Sequence, residues 1–147
     1  MSVAYYDRQP PATPEQIERL QQRIGRPLPT SYRAYLAEQD GGRLDNNDQA
    51  VNTIFGVGDL PDDDSIWEQL DVYGGRVPAW LLPVADDEYG NLYAISLRAQ
   101  DDGAVWFWDH EEEADEGDPP TEDNLHYKAA DWLDFLNRLA PPPTETD

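Results

Sequence analysis

The sequence predicts an α+β domain in which a mainly antiparallel sheet of four or more strands packs against N-terminal helices and a C-terminal helix. Helical patterns lie mostly near the two ends of the chain, and strand-like runs follow one another through its second half. Helices and strands therefore do not alternate as they do in α/β folds. With 147 residues and 39% hydrophobic residues, the chain can bury one core.

The domain is expected to span residues 13–140. The flanking residues, 1–12 and 141–147, are polar and proline-rich, which is typical of flexible termini. We expect one domain without internal repeats.

Two helices are expected at the start of this domain. Thr13 as N-cap, a proline after it and Gln16 three residues on predict a helix start with a capping box, and Gly25 ends the helix. Its apolar stripe comprises Ile17, Leu20 and Ile24. A second helix is expected from about Pro29 to the glycines at 41–42. Its expected buried residues are Tyr32, Tyr35 and Leu36.

The remaining elements are four strands and two helices. Ser65 and Glu68 predict a second capping box, which opens a short helix that ends at the glycines at 74–75. Apolar residues spaced at i, i+3, i+4 and i+7 predict a last helix over 128–139. Strands are expected at 51–57, 81–85, 92–97 and 104–109, the last three as an antiparallel meander.

The net charge is strongly negative and unevenly distributed. The whole chain carries −21, with 6 Arg and 5 acidic residues in 1–43 but 4 basic and 26 acidic residues in 44–147. Such a surface repels nucleic-acid phosphates and anionic membranes. It attracts a basic partner by long-range steering. We therefore expect a protein partner, with no nucleic acid and no membrane.

Three acidic runs stand out. The densest is 109–123, with nine carboxylates and no Lys or Arg, and smaller clusters lie at 62–64 and 86–88. Any single run can be an ordinary solvated loop. Three such runs destabilise a compact fold, because like charges repel one another. Their presence therefore suggests that the charge has a function, such as binding a partner.

Alternation in the strand at 104–109 places Val105 and Phe107 on one face and Trp106 and Trp108 on the other. Two tryptophans beside an acidic run have the composition of a protein-binding hot spot with a polar rim. The alternative is that a loop or the acidic run itself covers them. The predicted partner-binding residues are Trp106, Trp108, Asp109, Glu111, Glu112, Glu113, Asp115, Asp62, Asp63, Asp64, Trp67, Asp86, Asp87 and Tyr89.

No catalytic, cofactor-binding or metal-binding residues are predicted. The chain has no cysteine, and its two histidines, His110 and His126, lack metal-ligand spacing. Nucleophile-elbow, phosphate-loop and calcium-loop motifs are absent from the sequence. No signal peptide or membrane span is recognised, so we expect a cytoplasmic protein that is monomeric when free.

In the order and spacing of its motifs, the chain resembles the SUKH superfamily, in particular its Smi/Knr-type branch. The matching segments are the two N-terminal helices and the runs LPVAD at 82–86, GNLYAI at 90–95, VWFWDHE at 105–111 and WLDFL at 132–136. The resemblance implies an α+β fold and no catalytic residues. Many bacterial members of this branch resemble immunity proteins, which bind and neutralise a cognate toxin, whereas fungal relatives are regulators of cell-wall synthesis.

Two functions from different classes of interaction therefore remain. The first is an immunity protein (antitoxin) of a polymorphic toxin system, which binds a basic toxin domain, plausibly a nuclease, through an acidic and aromatic surface. The second is a non-catalytic regulatory scaffold with an endogenous protein partner. A third hypothesis, an acidic metal-binding or enzymatic domain, has no motif to support it. The genes next to this one and calorimetry with divalent cations would separate the three.

Overall fold

A computed structural model describes residues 4–141, and these form a seven-stranded antiparallel sheet with four α-helices. The strands lie side by side in chain order, so the whole sheet is a meander. The strands are β1 Tyr5–Arg8, β2 Gly42–Leu44, β3 Val51–Ile54, β4 Leu81–Asp87, β5 Leu92–Ser96, β6 Val105–Trp108 and β7 Leu125–Ala129. The predicted α+β class with an antiparallel meander is confirmed.

The helices are α1 Pro14–Ile24, α2 Thr30–Glu38, α3 Ile66–Tyr73 and α4 Trp132–Arg138. The capping box of α1 is confirmed, since the Thr13 side chain accepts from Gln16 N and the Gln16 side chain accepts from Thr13 N. Gly25 ends this helix with a φ of 75°, which a glycine adopts without strain. The second capping box is wrong, because Ser65 precedes α3 without a side-chain cap hydrogen bond.

Both faces of the central sheet are covered. On one face, Tyr93 of β5 contacts Phe107 of β6 and Phe135 of α4, with ring centroids 5.2 and 5.0 Å apart. On the other face, Trp108 of β6 packs edge to face against Tyr73 of α3 at 5.6 Å. All of β5 and all of β4 except Asp86 are consequently buried.

Three strands lie where the sequence predicted something else. Residues 1–12 were expected to be a flexible terminus, but β1 pairs with β2 at one edge of the sheet. Residues 1–3 and most of the expected C-terminal tail, 142–147, lie outside the described residues. The last helix begins at Trp132 with Asp131 as its N-cap, because Lys128 belongs to β7. The missed strands, YYDR, GRL and LHYKA, contain no apolar run of the kind that predicted the central strands.

Within residues 4–141, no helix is long and apolar enough to span a membrane.

Candidate protein-binding surface

The acidic segment, residues 109–123, joins β6 to β7 and is fixed at its base by hydrogen bonds. Asp109 N and the Asn124 carbonyl are 3.1 Å apart, and the Asn124 side chain donates to the Asp109 carbonyl at 2.8 Å. His110 N donates to the Asn91 side chain at 3.0 Å, which ties the segment to the turn between β4 and β5. A short 3-10 helix, His110–Glu112, follows with Asp109 as its N-cap. The base of the segment is therefore an ordered extension of the β6 end.

One ion pair ties the middle of the acidic segment to the connection between α3 and β4. Arg76 donates to Glu113 through two nitrogens, with N–O distances of 3.0 and 2.9 Å. Among residues 4–141, this is the sole ion pair that reaches the acidic segment. Arg76 offsets the charge of Glu113. The negative potential of the acidic segment therefore comes from its other carboxylates.

A cleft of about 540 Å³ lies between Arg76 and the acidic segment. Its walls carry the carboxylates of Glu111, Glu113, Asp115, Glu116 and Asp118. Glu111 and Asp115 are exposed. Within the described part of the chain, no group of three or more His, Asp and Glu side chains is arranged to hold a metal ion.

Trp106 belongs to an aromatic cluster that we define as Trp80, Trp106 and Tyr127 with the guanidinium of Arg98. Trp106 meets Trp80 at 5.8 Å and Tyr127 at 5.7 Å between ring centroids, both edge to face. The Arg98 guanidinium stacks 3.5 Å from the Trp80 centroid. Tyr127 is 57% exposed, while Trp80 and Trp106 are half-buried. Trp, Tyr and Arg are the residue types most enriched in binding hot spots.

Asp101 organises the polar side of this cluster. Its carboxylate accepts from Arg98 at 3.1 and 2.7 Å and from the Trp106 indole nitrogen at 3.1 Å. The Arg98 hydrogen bonds hold the pKa of the Asp101 carboxyl below its ordinary value. Asp101 hydrogen bonds, and more weakly the charge of Glu122, raise the pKa of Arg98. The aromatic cluster thus lies close to the C-terminal end of the acidic segment.

The structure contradicts the prediction that Trp108 stands on an exposed face. Trp108 is wholly buried, because Tyr73 of α3 packs against it and the Arg76 guanidinium lies 5.8 Å from its ring centroid. Trp106, two positions earlier in the strand, is half-buried and packs against Trp80 and Tyr127. Trp108 therefore belongs to the core, and a partner cannot contact it in this conformation.

Two predicted carboxylates are buried and stabilise the fold. Asp87 accepts from Tyr89 N, Asn91 N and the Asn91 side chain, at 2.8 to 2.9 Å, which shapes the turn between β4 and β5. Asp64 accepts two hydrogen bonds from Arg43. Both side chains are satisfied within the chain, so neither is offered to a partner.

Other predicted residues divide between two places. Tyr89 is 69% exposed, and its carbonyl contacts His110 at 3.1 Å, so it borders the acidic segment. Asp62 and Asp63 are exposed in a 3-10 helix that precedes α3, and Trp67 donates its indole N–H to the Val57 carbonyl. The described partners of the second acidic cluster, residues 62–64, are Arg43 of β2, Gly56 after β3 and Gln69 of α3. Asp86 is half-buried and accepts from Thr53 N at 2.9 Å.

The candidate surface therefore combines part of the predicted set with residues that were missed. It retains Trp106, Tyr89 and the exposed carboxylates that follow β6. The missed members are Arg76, Trp80, Arg98, Asp101 and Tyr127. Tyr127 was missed because β7 was assigned partly to a helix, and Arg98 and Asp101 were read as turn residues.

The fold and this surface define a class: a helix-flanked antiparallel meander, strongly acidic, with aromatic and acidic side chains together at the β6–β7 end of the sheet. The chain belongs to the SMI1/KNR4 family (SUKH-1), whose sequence model matches residues 11–138. The predicted SUKH resemblance is thereby confirmed.

A curated relative is the SPbeta prophage-derived uncharacterized protein YokK of Bacillus subtilis (strain 168). It is 24% identical over 161 aligned positions, which cover 92% of this chain and 78% of the relative.

Proposed function

We propose that this protein is an immunity protein that binds and neutralises a basic toxin domain of the nuclease class, and that it acts in the cytoplasm as a non-catalytic monomer. The observation that carries the proposal is the acidic segment, with one paired and eight unpaired carboxylates, beside the half-exposed aromatic cluster. Membership of the SUKH-1 family supports it, as does a relative derived from a prophage, a mobile element.

Electrostatics and aromatic burial would act on different steps of binding. A nuclease is cationic where it holds phosphate, so a carboxylate array can cover that surface. Complementary charge raises the association rate, and this effect weakens as salt is added. Buried aromatic contacts mainly slow dissociation. In this proposal the acidic segment raises the association rate, and the aromatic cluster lowers the dissociation rate.

The first experiment is capture of partners from the source organism on the immobilised protein, at low and at high salt, followed by mass spectrometry. The expected partner is one basic toxin domain whose capture weakens with salt. Co-expression in Escherichia coli then tests neutralisation, because the toxin domain alone should stop growth and this protein should restore it. Capture of an endogenous regulator that is not toxic would instead support the scaffold function.

Two double variants that each remove two negative charges test whether the position of the charge, and not only the net charge, sets the association rate. We expect E111Q/E112Q to lower the association rate about threefold to tenfold at low salt and to flatten its salt dependence. D62N/D63N is the matched control, since it removes two exposed charges from the second acidic cluster. Equal effects of the two double variants would show that only net charge matters and would remove the acidic segment from the interface.

A second pair of variants tests the aromatic cluster. Tyr127→Ala is expected to raise the dissociation rate about tenfold or more if this cluster anchors the partner. Tyr6→Ala is the control, because Tyr6 is 61% exposed on β1 at the opposite edge of the same sheet. A dissociation rate that Tyr127→Ala leaves unchanged would place the anchor elsewhere. Surface plasmon resonance gives both rate constants.

A further inference from the structure

Arg76 lies at a position where its side chain is unusually well fixed for an exposed arginine. It follows two glycines after α3, and its backbone N–H donates to the Tyr73 carbonyl at 3.0 Å. Its guanidinium lies 4.7 Å from the Tyr73 ring centroid and 5.8 Å from that of Trp108. Because a guanidinium is planar, stacking on rings fixes the direction of its hydrogen-bond donors. Those donors point at Glu113.

The acidic segment, by contrast, contains little that would hold it in place. Between Glu113 and Asn124 the segment has no helix or strand, and Gly117 has a φ of 90°. Its carboxylates repel one another, which favours movement away from the body of the protein. The described hydrogen bonds from the segment to the rest of the chain, apart from those of Glu113, lie at its two ends, at Asp109, His110 and Glu122. Between these ends, the bidentate pair with Arg76 is the described polar contact with the body of the protein, and Pro120 lines a cavity beside Leu70 and Tyr73.

We propose that Arg76 is the positioning residue of the acidic segment: its ion pair with Glu113 holds residues 110–118 against the connection between α3 and β4. The unpaired carboxylates of Glu111, Asp115, Glu116 and Asp118 are then presented in one arrangement around the cleft. A preformed charged surface loses less conformational entropy on binding than a mobile one. Only this consequence for partner binding rests on the proposed function.

Hydrogen exchange measured by mass spectrometry on the free protein tests the proposal directly. The reporters are the amides of Glu112, Glu113 and Asp118, which donate to carbonyls inside the segment. In Arg76→Gln we expect exchange about threefold to fivefold faster in peptides from 110–118, and no change in α1, α2 or β3. Arg138→Gln is the charge-matched control, because Arg138 pairs with Asp134 within α4.

Two more variants separate positioning from a general packing role. Glu113→Gln should loosen the same peptides, and the exchanged pair R76E/E113R should restore their protection, since it rebuilds an ion pair at the same place. Unchanged exchange at 110–118 in Arg76→Gln would overturn the proposal. Faster exchange throughout the chain that R76E/E113R does not restore would also overturn it, because Arg76 would then act by covering Trp108.

Partner binding distinguishes this inference from the proposed function. If Arg76→Gln loosens the segment while E111Q/E112Q leaves toxin association unchanged, the positioning role stands and the proposed interface fails. If exchange is unaffected but E111Q/E112Q still slows association, the interface stands and the positioning role fails. Association of Arg76→Gln, compared with Arg138→Gln, completes the test, because both variants lose one positive charge.

Discussion

Three buried carboxylates stabilise the backbone of this acidic chain. Asp40 accepts from Val57 N and Gly58 N at 2.7 and 2.8 Å and so fixes the loop after β3. Asp64 pairs with Arg43, and Asp87 shapes the turn after β4. Each is satisfied by N–H donors, which is the condition for burying a carboxylate at acceptable cost. Such residues count toward the net charge but contribute little to a binding surface.

Asp86 is only half-buried, and the Thr53 N–H donates to its carboxylate at 2.9 Å. Burial, together with the nearby charge of Asp87, raises the pKa of its carboxyl to about 6, although the Thr53 N–H opposes the shift. A carboxyl whose pKa is raised in the folded state stabilises the fold fully below its ordinary value near 3.8. That stabilisation is lost as the pH rises through about 6. At neutral pH the ionised Asp86 side chain therefore lowers the free energy of unfolding.

We predict that Asp86→Asn stabilises the protein at pH 7.5 by roughly 1–3 kcal/mol, given about 1.4 kcal/mol per pKa unit, and by much less at pH 4.5. The asparagine oxygen can still accept from Thr53 N and carries no charge. Urea unfolding at both pH values measures the difference. Asp62→Asn, an exposed carboxyl, is the control. A gain of the same size at both pH values would contradict the assignment of the raised pKa.

At the scale of the elements, the two predicted capping boxes differ in whether their side chains make the hydrogen bonds that stabilise the helix start. Thr13 and Gln16 exchange two hydrogen bonds at the start of α1, whereas Ser65 makes no side-chain cap bond before α3. Instead, Ile66 N donates to the Gly56 carbonyl across a parallel bridge between Gly56 and Ser65. A tertiary contact thus replaces the local cap at α3.

We predict that Thr13→Ala lowers the free energy of unfolding by about 1 kcal/mol, the usual value of an N-cap, whereas Ser65→Ala changes it by less than about 0.5 kcal/mol. Chemical denaturation of both variants measures this, with an unchanged m-value as the check that folding remains two-state. A larger loss in Ser65→Ala than in Thr13→Ala would mean that the hydroxyl of Ser65 has a contact that the structure does not show.

The strands also show why local pattern is an incomplete guide. β4 and β5 were predicted correctly because each contains an apolar run, and these runs are buried in the sheet. β1, β2 and β7 have three to five residues each and owe their conformation to the strand beside them. Strand formation at such segments is decided by pairing, which a short stretch of sequence does not encode.

At the scale of the whole molecule, a net charge of −21 opposes compaction. In 20 mM buffer we predict that 0.3 M NaCl raises the melting temperature by about 3 °C or more, because the screening length falls well below the size of the domain. Differential scanning calorimetry across a salt series measures it. A melting temperature that stays flat or falls over this range would show that repulsion in the folded state is already compensated.

The same salt series has the opposite effect on the proposed interaction. Screening stabilises the free protein but slows association with a basic partner. A parallel rise in melting temperature and fall in association rate therefore distinguishes charge steering from a general effect of salt on folding.

By itself, the sequence determined the α+β class, the cap and end of α1, the central strands and the SUKH family. Each of these follows from local patterns or from the order of motifs along the chain. It also located the densest acidic run, since charge is additive along a sequence. Half of the predicted tryptophan pair, Trp106, remains accessible.

Only the tertiary structure decided which of these side chains a partner can reach. Alternation states that Trp106 and Trp108 share a face, but it does not state that α3 covers one of them and leaves the other. The contacts between Arg76 and Glu113 and between Trp106 and Tyr127 join residues that are 37 and 21 positions apart. Exposure and pairing are properties of packing between distant segments, and no local window of sequence contains both partners.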